Sequence, residues 1–218
     1  MTDRPIIFSA PMVRALLDGR KTMTRRLALS SRMKEVRPGR SRRVPIPSPW
    51  QKAKPGDRLW VRENFTDRFV ENDHCAKWVA YAADGLMFDH ATGKRDANVV
   101  PLKMRPSIHM PRWASRLTLV VTAVRIEPLQ NISDADAKAE GIYLPGSHEL
   151  YTHDPAVRAG NYNGRAPAGA FKNLWCEING PDSWSANPEV VALTFEVHKA
   201  NIDAMQPSDK RTNQESQK

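Results

Sequence analysis

The chain has 218 residues, 40% of them hydrophobic, and its 33 Lys and Arg against 24 Asp and Glu give a net charge of +9. This length and apolar fraction suffice for a domain with a buried core and exclude wholesale disorder, while 17 prolines argue against a long helical bundle. No run of 18 apolar residues occurs and the N-terminus lacks the apolar core of a signal peptide, so we expect a cytoplasmic protein with no membrane partner.

Short strands separated by short helices are predicted along the chain. Apolar and β-branched residues indicate strands at 6–8, 22–27, 58–65, 77–82, 117–126 and 190–197, with the strongest pattern at 117–126. Helical spacing and capping residues predict helices at 11–18, 133–140 and 170–178. Gly19, Gly141 and Gly180 are placed to end these helices. The order of elements predicts a single α+β domain over residues 1–204, a small mixed β-barrel surrounded by short helices.

Three further segments have the composition of irregular structure. Residues 30–54 are rich in Arg, Ser and Pro and predict a long basic loop, because proline cannot donate to a strand ladder. Residues 146–168 are rich in Gly, Pro and Asn and predict a second loop insertion. Residues 205–218 are polar and predict a disordered tail.

The excess positive charge is confined to the first part of the chain. Residues 1–62 hold 16 Lys and Arg against 4 Asp and Glu, whereas the remainder holds 17 against 20. Residues 20–43 alone contain ten basic residues and one acid. Such a segment suits phosphate groups, although charge alone leaves a solvated surface loop as an equal alternative. The arginines that we expect to contact nucleic acid are Arg20, Arg25, Arg26, Arg40, Arg42 and Arg43.

The densest polar cluster is Gly-Arg-Lys-Thr-Met-Thr-Arg-Arg at 19–26, directly after the first predicted helix. An amine can activate a neighbouring hydroxyl, which makes Lys21 and Thr24 candidate catalytic residues. Because they are three positions apart, a regular strand would place them on opposite faces, and they converge only if the chain turns between them. The alternative is a helix end that faces solvent.

A second candidate binding segment is Arg-Pro-Ser-Ile-His-Met-Pro-Arg-Trp at 105–113, which its prolines keep from being regular structure. His109 and Trp113 could hold a flat base there by stacking, and the alternative is a packed connector. The six histidines show no ligand spacing and the two cysteines have no companion pair, so we expect no metal and no cofactor.

Five motifs, in order along the chain, carry a resemblance to a known family. They are the 19–26 cluster, Lys-Pro-Gly-Asp-Arg-Leu-Trp-Val-Arg-Glu at 54–63, the segment 105–115, Ile-Ser-Asp-Ala-Asp-Ala-Lys-Ala-Glu-Gly at 132–141, and Leu-Trp-Cys-Glu-Ile-Asn-Gly at 174–180. Together they resemble the ASCH domain family, and the segment 105–115 resembles its phage and prophage members. The resemblance implies a PUA-like β-barrel with long loop insertions, and the cytoplasm of a host cell as the location of a phage protein.

The resemblance also implies a catalytic set. Some small ASCH proteins are acetylcytidine amidohydrolases that use a Lys and a Thr in a Gly-x-Lys-x-x-Thr motif, with a Glu on a later strand. Lys21 and Thr24 match the first two positions. The Glu position falls on Val120, which cannot titrate, and Glu63 is the candidate substitute acid.

These observations lead to hypotheses of different classes. The favoured one is an RNA- or nucleotide-binding module with a pocket at 19–26 and a basic loop that holds phosphates. The alternative is an amidohydrolase that deacylates N4-acetylcytidine or a related nucleoside through Lys21 and Thr24. A third is a phage protein that contacts a host protein through the insertion at 146–168, since long irregular loops often carry specific contacts.

Overall fold

A computed structural model describes residues 1–37, 39–67, 78–83, 87–89, 104–142 and 167–205. The predicted tail from residue 206 onward and most of the predicted insertion at 146–168 lie outside the described residues. The described strands are β1 (Asp3–Ile7), β2 (Met23–Leu27), β3 (Leu29–Arg37), β4 (Arg40–Pro47), β5 (Arg58–Arg62), β6 (Phe65–Thr66), β7 (Trp78–Tyr81), β8 (Met87–Asp89), β9 (Thr118–Pro128) and β10 (Glu189–His198). The described helices are α1 (Ala10–Leu17), α2 (Asp134–Ala139) and α3 (Pro167–Asn179).

The strands form three separate sheets. The largest has five strands in the order β1-β5-β9-β10-β2, with β1 and β5 parallel and the other pairs antiparallel. A two-stranded sheet is formed by β3 and β4, and a three-stranded sheet by β6, β7 and β8. The protein is therefore a mixed α+β structure dominated by sheets, as the sequence predicts.

The helices begin and end close to the predicted positions. Ser133 caps α2 as expected, because its side chain accepts a hydrogen bond from the backbone N–H of Asp136 at 3.1 Å. Gly19 follows α1 with a φ of +73°, and Gly141 follows α2 with a φ of +86°. Both lie in the left-handed region that ends helices, which explains why glycine marks these two boundaries in the sequence.

Three apolar clusters stabilise the described elements. The first joins α1 to the five-stranded sheet through fully buried side chains such as Val13, Leu16, Leu59, Leu119 and Leu193. The second packs α3 against the end of β10 and the chain around α2, with Phe171 and Trp175 from α3. The third supports the three-stranded sheet. None of the described helices is long and apolar enough to cross a membrane.

The prediction of an irregular loop at 30–54 is wrong for most of this segment. Leu29–Arg37 and Arg40–Pro47 pair as an antiparallel hairpin, and Pro49–Lys52 forms a 3-10 turn. Pro45 and Pro47 are two positions apart, so their nitrogens face the same side of β4. A two-stranded sheet has a free edge on which proline is tolerated, and this is why the prolines do not exclude a strand.

The predicted barrel is not closed among the described strands. No ladder joins β1 to β2, the two edges of the five-stranded sheet. A side chain bridges them instead: Arg26 Nη2 on β2 donates to the Ile7 carbonyl on β1 at 2.7 Å. The sheet therefore curls until its edges face each other without sharing backbone hydrogen bonds.

Candidate active site

A cavity of about 330 Å³ lies between β2, the start of β3 and α3. Its polar lining includes Thr24, Arg25, Arg26, Ser48 and Glu140. Its apolar lining comes from α3 and from residues of α1, β2, β3 and the 3-10 turn at 49–52, and consists of Met12, Leu27, Leu29, Pro49, Trp50, Phe171, Leu174, Trp175 and Ile178. The cavity therefore combines a polar wall from the 19–26 cluster with an aromatic wall, a composition that suits a flat heterocyclic ligand.

Lys21 is placed by the exit from α1. After Gly19 the backbone N–H groups of Arg20 and Lys21 both donate to the Ala15 carbonyl, at 2.9 and 3.0 Å. Lys21 then forms an isolated bridge with Glu140, and β2 begins only at Met23. The turn out of α1 therefore comes before Lys21, whereas Thr24 already lies within β2.

Lys21 and Glu140 form a buried ion pair. Lys21 Nζ donates to Glu140 Oε2 at 2.7 Å and to the Glu140 backbone carbonyl at 2.8 Å. The two side chains are only 1% and 5% exposed. Burial lowers the pKa of Lys21 below its ordinary value of 10.5, although the charge of Glu140 and its hydrogen bond oppose the shift. The site thus holds an amine whose charged form is disfavoured by desolvation.

Gly141 allows this pair to form. A Cβ at this position would lie 3.2 Å from the Ala15 Cβ and 3.3 Å from the Lys21 Cβ, both closer than ordinary contacts. The positive φ of Gly141 is also a conformation that L residues rarely adopt. Glycine after Glu140 therefore lets the end of α2 approach the exit of α1.

Arg25 is a buried residue of the cavity wall that is surrounded by a network of acids. Its Nη2 donates to Glu127 Oε1 at 2.8 Å and to Asp136 Oδ2 at 2.7 Å, and its Nη1 lies 3.6 Å from Glu140 Oε1. Burial raises the pKa of Asp136, but the Arg25 hydrogen bond and the charges of Arg25 and Arg125 outweigh it and hold this pKa below its ordinary value. The sequence predicts that Arg25 binds nucleic acid, but in the fold acids of the same chain balance its positive charge.

The other residues of the 19–26 cluster have separate surroundings. Thr24 is buried on β2 opposite Leu193 and lines the cavity. The Arg26 guanidinium lies 5.2 Å from the centre of the Phe8 ring, and burial lowers its pKa. Arg20 forms a partly exposed ion pair with Asp18 at 2.6 Å.

The acid beside Lys21 is Glu140, which sequence reasoning did not single out. Glu63, the candidate substitute, is buried in a two-pronged ion pair in which Arg116 donates at 2.9 and 3.1 Å. Val120 lies on β9 opposite Arg58 and Glu196. A signal for Glu140 was present, because Glu-Gly ends the 132–141 motif that contributes to the family resemblance.

The remaining predicted binding residues are not among the described residues that line this cavity. His109 and Trp113 lie in two 3-10 turns, and both side chains are exposed. Arg40 and Arg42 are exposed on β4, and Arg43 borders a separate surface hollow near the start of β3. In the described residues, no three His, Cys, Asp or Glu side chains come together as a metal-binding group.

Comparisons of the chain with protein-family models, curated proteins and solved structures gave no match. The resemblance to the ASCH family therefore depends on the sequence motifs alone.

Proposed function

We propose that the protein is an amidohydrolase that removes the acyl group from an acylated nucleobase amine, as in N4-acetylcytidine. The observation that carries the proposal is the buried Lys21–Glu140 pair beside a cavity that Thr24 lines. Sequence reasoning disfavoured this activity because Val120 stands at the expected Glu position. Glu140 supplies the third polar group from a different element, which removes that objection.

Each group has a role that follows from its surroundings. Burial lowers the pKa of Lys21, so its neutral amine, which can accept a proton, is reached at lower pH than for an exposed lysine. Glu140 holds the amine in place through its side chain and its backbone carbonyl. Thr24 supplies a hydroxyl at the cavity wall, and an activated threonine hydroxyl is a nucleophile for acyl transfer.

The proposed reaction has two steps. Thr24 Oγ1 attacks the acyl carbonyl carbon, its proton passes to Lys21 Nζ, and the C–N bond breaks as the nucleobase amine leaves with that proton. Water then attacks the Thr24 ester, which releases a carboxylic acid and restores the hydroxyl. Lys21 acts as base and then acid in each step, so that no external proton source or cofactor is consumed.

The test is deacylation of N4-acetylcytidine by the purified protein, with cytidine measured by chromatography. We expect Thr24→Val to lower kcat/KM by about 10³-fold or more, because it removes the nucleophile and leaves a side chain of similar volume. Thr22→Val is the matched control, since Thr22 lies in the same motif but is exposed. Absence of cytidine with the wild-type protein, or unchanged turnover in Thr24→Val, would contradict the proposal.

We further infer that the fold is of the PUA-like ASCH type. The support is the order of the five motifs and a curled five-stranded sheet whose edges are joined by Arg26 rather than by a ladder. In this arrangement the 19–26 cluster and the 132–141 motif meet at Lys21 and Glu140.

A second candidate function, nucleic-acid binding, is favoured by the charge pattern of the hairpin. The register places Lys34 directly opposite Arg42 and Arg37 opposite Arg40. Directly opposite residues share a face, so these cations and Arg32 lie together on one exposed face of the two-stranded sheet. Like charges in opposite positions destabilise a sheet, and a polyanion such as RNA would relieve this repulsion.

The register also provides the control for this candidate. Arg43 lies opposite Met33, on the other face of the hairpin. We expect Arg42→Glu to weaken binding of a labelled RNA and to reduce the salt dependence, whereas Arg43→Glu makes the same charge change on the wrong face and has a smaller effect. Equal effects of the two substitutions, measured by fluorescence anisotropy, would show attraction to net charge rather than a binding face.

A further inference from the structure

Several buried polar atoms at the cavity lack hydrogen-bond partners among the described residues. They are Arg25 Nε, Arg26 Nε, Ser48 Oγ, Glu140 Oε1 and Trp175 Nε1, and each belongs to a residue that lines the cavity. Buried polar groups in folded proteins are normally hydrogen-bonded, because leaving them unpaired costs stability. Their concentration around one cavity indicates that a bound molecule completes the hydrogen bonding there.

Trp175 is the most informative member of this group. The two arginines use other nitrogens of their guanidinium groups, whereas an indole has a single polar atom, so Trp175 is left wholly unpaired. Its side chain belongs to the second apolar cluster and packs near Phe171, with ring centres 6.0 Å apart. Trp175 is only 5% exposed and its nitrogen is buried, so water at the protein surface does not satisfy its N–H.

Glu140 supplies the complementary group. Its Oε2 accepts from Lys21, while its Oε1 lies 3.6 Å from Arg25 Nη1, too far for a hydrogen bond. Oε1 is therefore an acceptor with unused capacity in the wall that also contains Thr24. Within the described part of the chain, the residues that line the cavity thus include an indole N–H without a hydrogen-bond partner and a carboxylate oxygen that accepts no hydrogen bond, although Arg25 Nη1 lies 3.6 Å from it.

We propose that Trp175 determines substrate specificity by donating its indole N–H to an acceptor atom of the nucleobase ring, while Glu140 Oε1 accepts from the N–H of the scissile amide. An N4-acylated cytosine carries both groups, since its amide N–H is a donor and its ring nitrogen and carbonyl oxygen are acceptors. This inference rests on the proposed amidohydrolase function and assigns the recognition of the base to α3.

The assignment predicts how the enzyme distinguishes two amides. Acetanilide has the same acetyl amide as N4-acetylcytidine, but its ring has no hydrogen-bond acceptor. A site built to pair with a polar group rejects a substrate that lacks it, because the protein group is then left unpaired. We therefore expect the wild-type protein to prefer N4-acetylcytidine and to lose much of this preference when the indole N–H is removed.

The experiment compares Trp175→Phe with the wild-type protein on both substrates. We expect kcat/KM for N4-acetylcytidine to fall about tenfold, the effect of one hydrogen bond, and that for acetanilide to stay unchanged. The substitution removes a buried N–H that makes no hydrogen bond within the described residues, so it breaks no hydrogen bond of the fold. We therefore expect Trp175→Phe to stay folded at the assay temperature, so that unfolding does not account for the lower kcat/KM. Trp184→Phe is the control, since Trp184 packs against the same apolar cluster but does not line the cavity.

The outcomes separate this inference from the proposed function. If the wild-type protein deacylates N4-acetylcytidine, the amidohydrolase proposal stands. The role of Trp175 is then overturned if Trp175→Phe lowers kcat/KM equally for both substrates, or does not lower it for N4-acetylcytidine. If the wild-type protein deacylates neither amide, the amidohydrolase proposal fails, and titration calorimetry with cytidine tests recognition alone. Binding that weakens about tenfold in Trp175→Phe would support the assignment, whereas equal binding or none would overturn it.

Discussion

The buried pair of Lys21 and Glu140 should show strong energetic coupling. Its side chains are 1% and 5% exposed, and the Nζ–Oε2 distance is 2.7 Å. Glu140→Leu would leave the Lys21 ammonium buried with only a backbone carbonyl as partner. Removal of one member of a buried ion pair costs about 3–5 kcal/mol at neutral pH. A loss of about 3 kcal/mol corresponds to a decrease of roughly a hundredfold in the folding equilibrium constant.

Replacement of both members should cost much less than the sum of the single replacements. Lys21→Met alone leaves the Glu140 carboxylate with Arg25 at 3.6 Å, so its cost should be smaller than that of Glu140→Leu. The double variant Lys21→Met with Glu140→Leu removes both charges and fills the space with apolar atoms, which is often neutral or stabilising. We therefore expect the double variant to be folded, with stability within about 1 kcal/mol of the wild type, and inactive in deacylation.

Urea unfolding of the four proteins at constant pH measures this coupling, with equal slopes required for a valid comparison. A pH series adds an independent check on Glu140→Leu. Because burial lowers the pKa of Lys21, the unfolded chain binds more protons than the folded one between the folded pKa and 10.5. The free energy of unfolding should therefore rise with pH in this window. Additive single effects, or a cost below about 1 kcal/mol for Glu140→Leu, would show that the pair is not buried and would refute the reasoning.

Three further substitutions test other parts of the structure. Because the pKa of Asp136 in the folded protein is below its ordinary value of 3.8, the ionised carboxylate stabilises the fold above pH 3.8, and this contribution is lost as the pH falls through the folded pKa. Asp136→Asn should therefore reduce the loss of stability that the wild type shows below about pH 4. Thermal unfolding of both proteins across acidic pH measures this difference. Gly141→Ala should cost about 1–2 kcal/mol in urea unfolding and also lower deacylation, since the φ of +86° is strained for alanine and the new Cβ meets Lys21. Leu193→Ala, at a fully buried position of β10, should cost about 2–5 kcal/mol in the same assay.

The elements that local chemistry specifies were predictable from the sequence. The run of β-branched residues at 117–126 is the long strand β9, and Ser133 caps α2 through its hydroxyl. Gly19 and Gly141 mark helix ends because their backbone adopts positive φ values. Each of these features depends on residues close together in the chain, which a periodicity or a cap reveals directly.

The hairpin of β3 and β4 was hidden by its composition. Repeated Arg, Ser and Pro are typical of irregular segments, and a small two-stranded sheet needs little apolar burial on either face. Its formation depends on cross-strand register, which places Val44 opposite Arg32 and Ile46 opposite Ser30. No pattern within either strand encodes this pairing, so composition alone predicted a loop.

The partner of Lys21 could not be derived from spacing, because it lies 119 positions later in the chain. The same limit applies to the charge of the basic segment. Counting treats every cation in residues 20–43 as free to bind an anion, yet Lys21 pairs with Glu140 and Arg25 pairs with Glu127 and Asp136. These acids all come from the mildly acidic remainder of the chain, which therefore neutralises the cations that enter the core. Many of the cations that remain exposed lie on the hairpin of β3 and β4. Residues 20–43 therefore contain both the buried amine of Lys21 and a separate exposed face suited to phosphate.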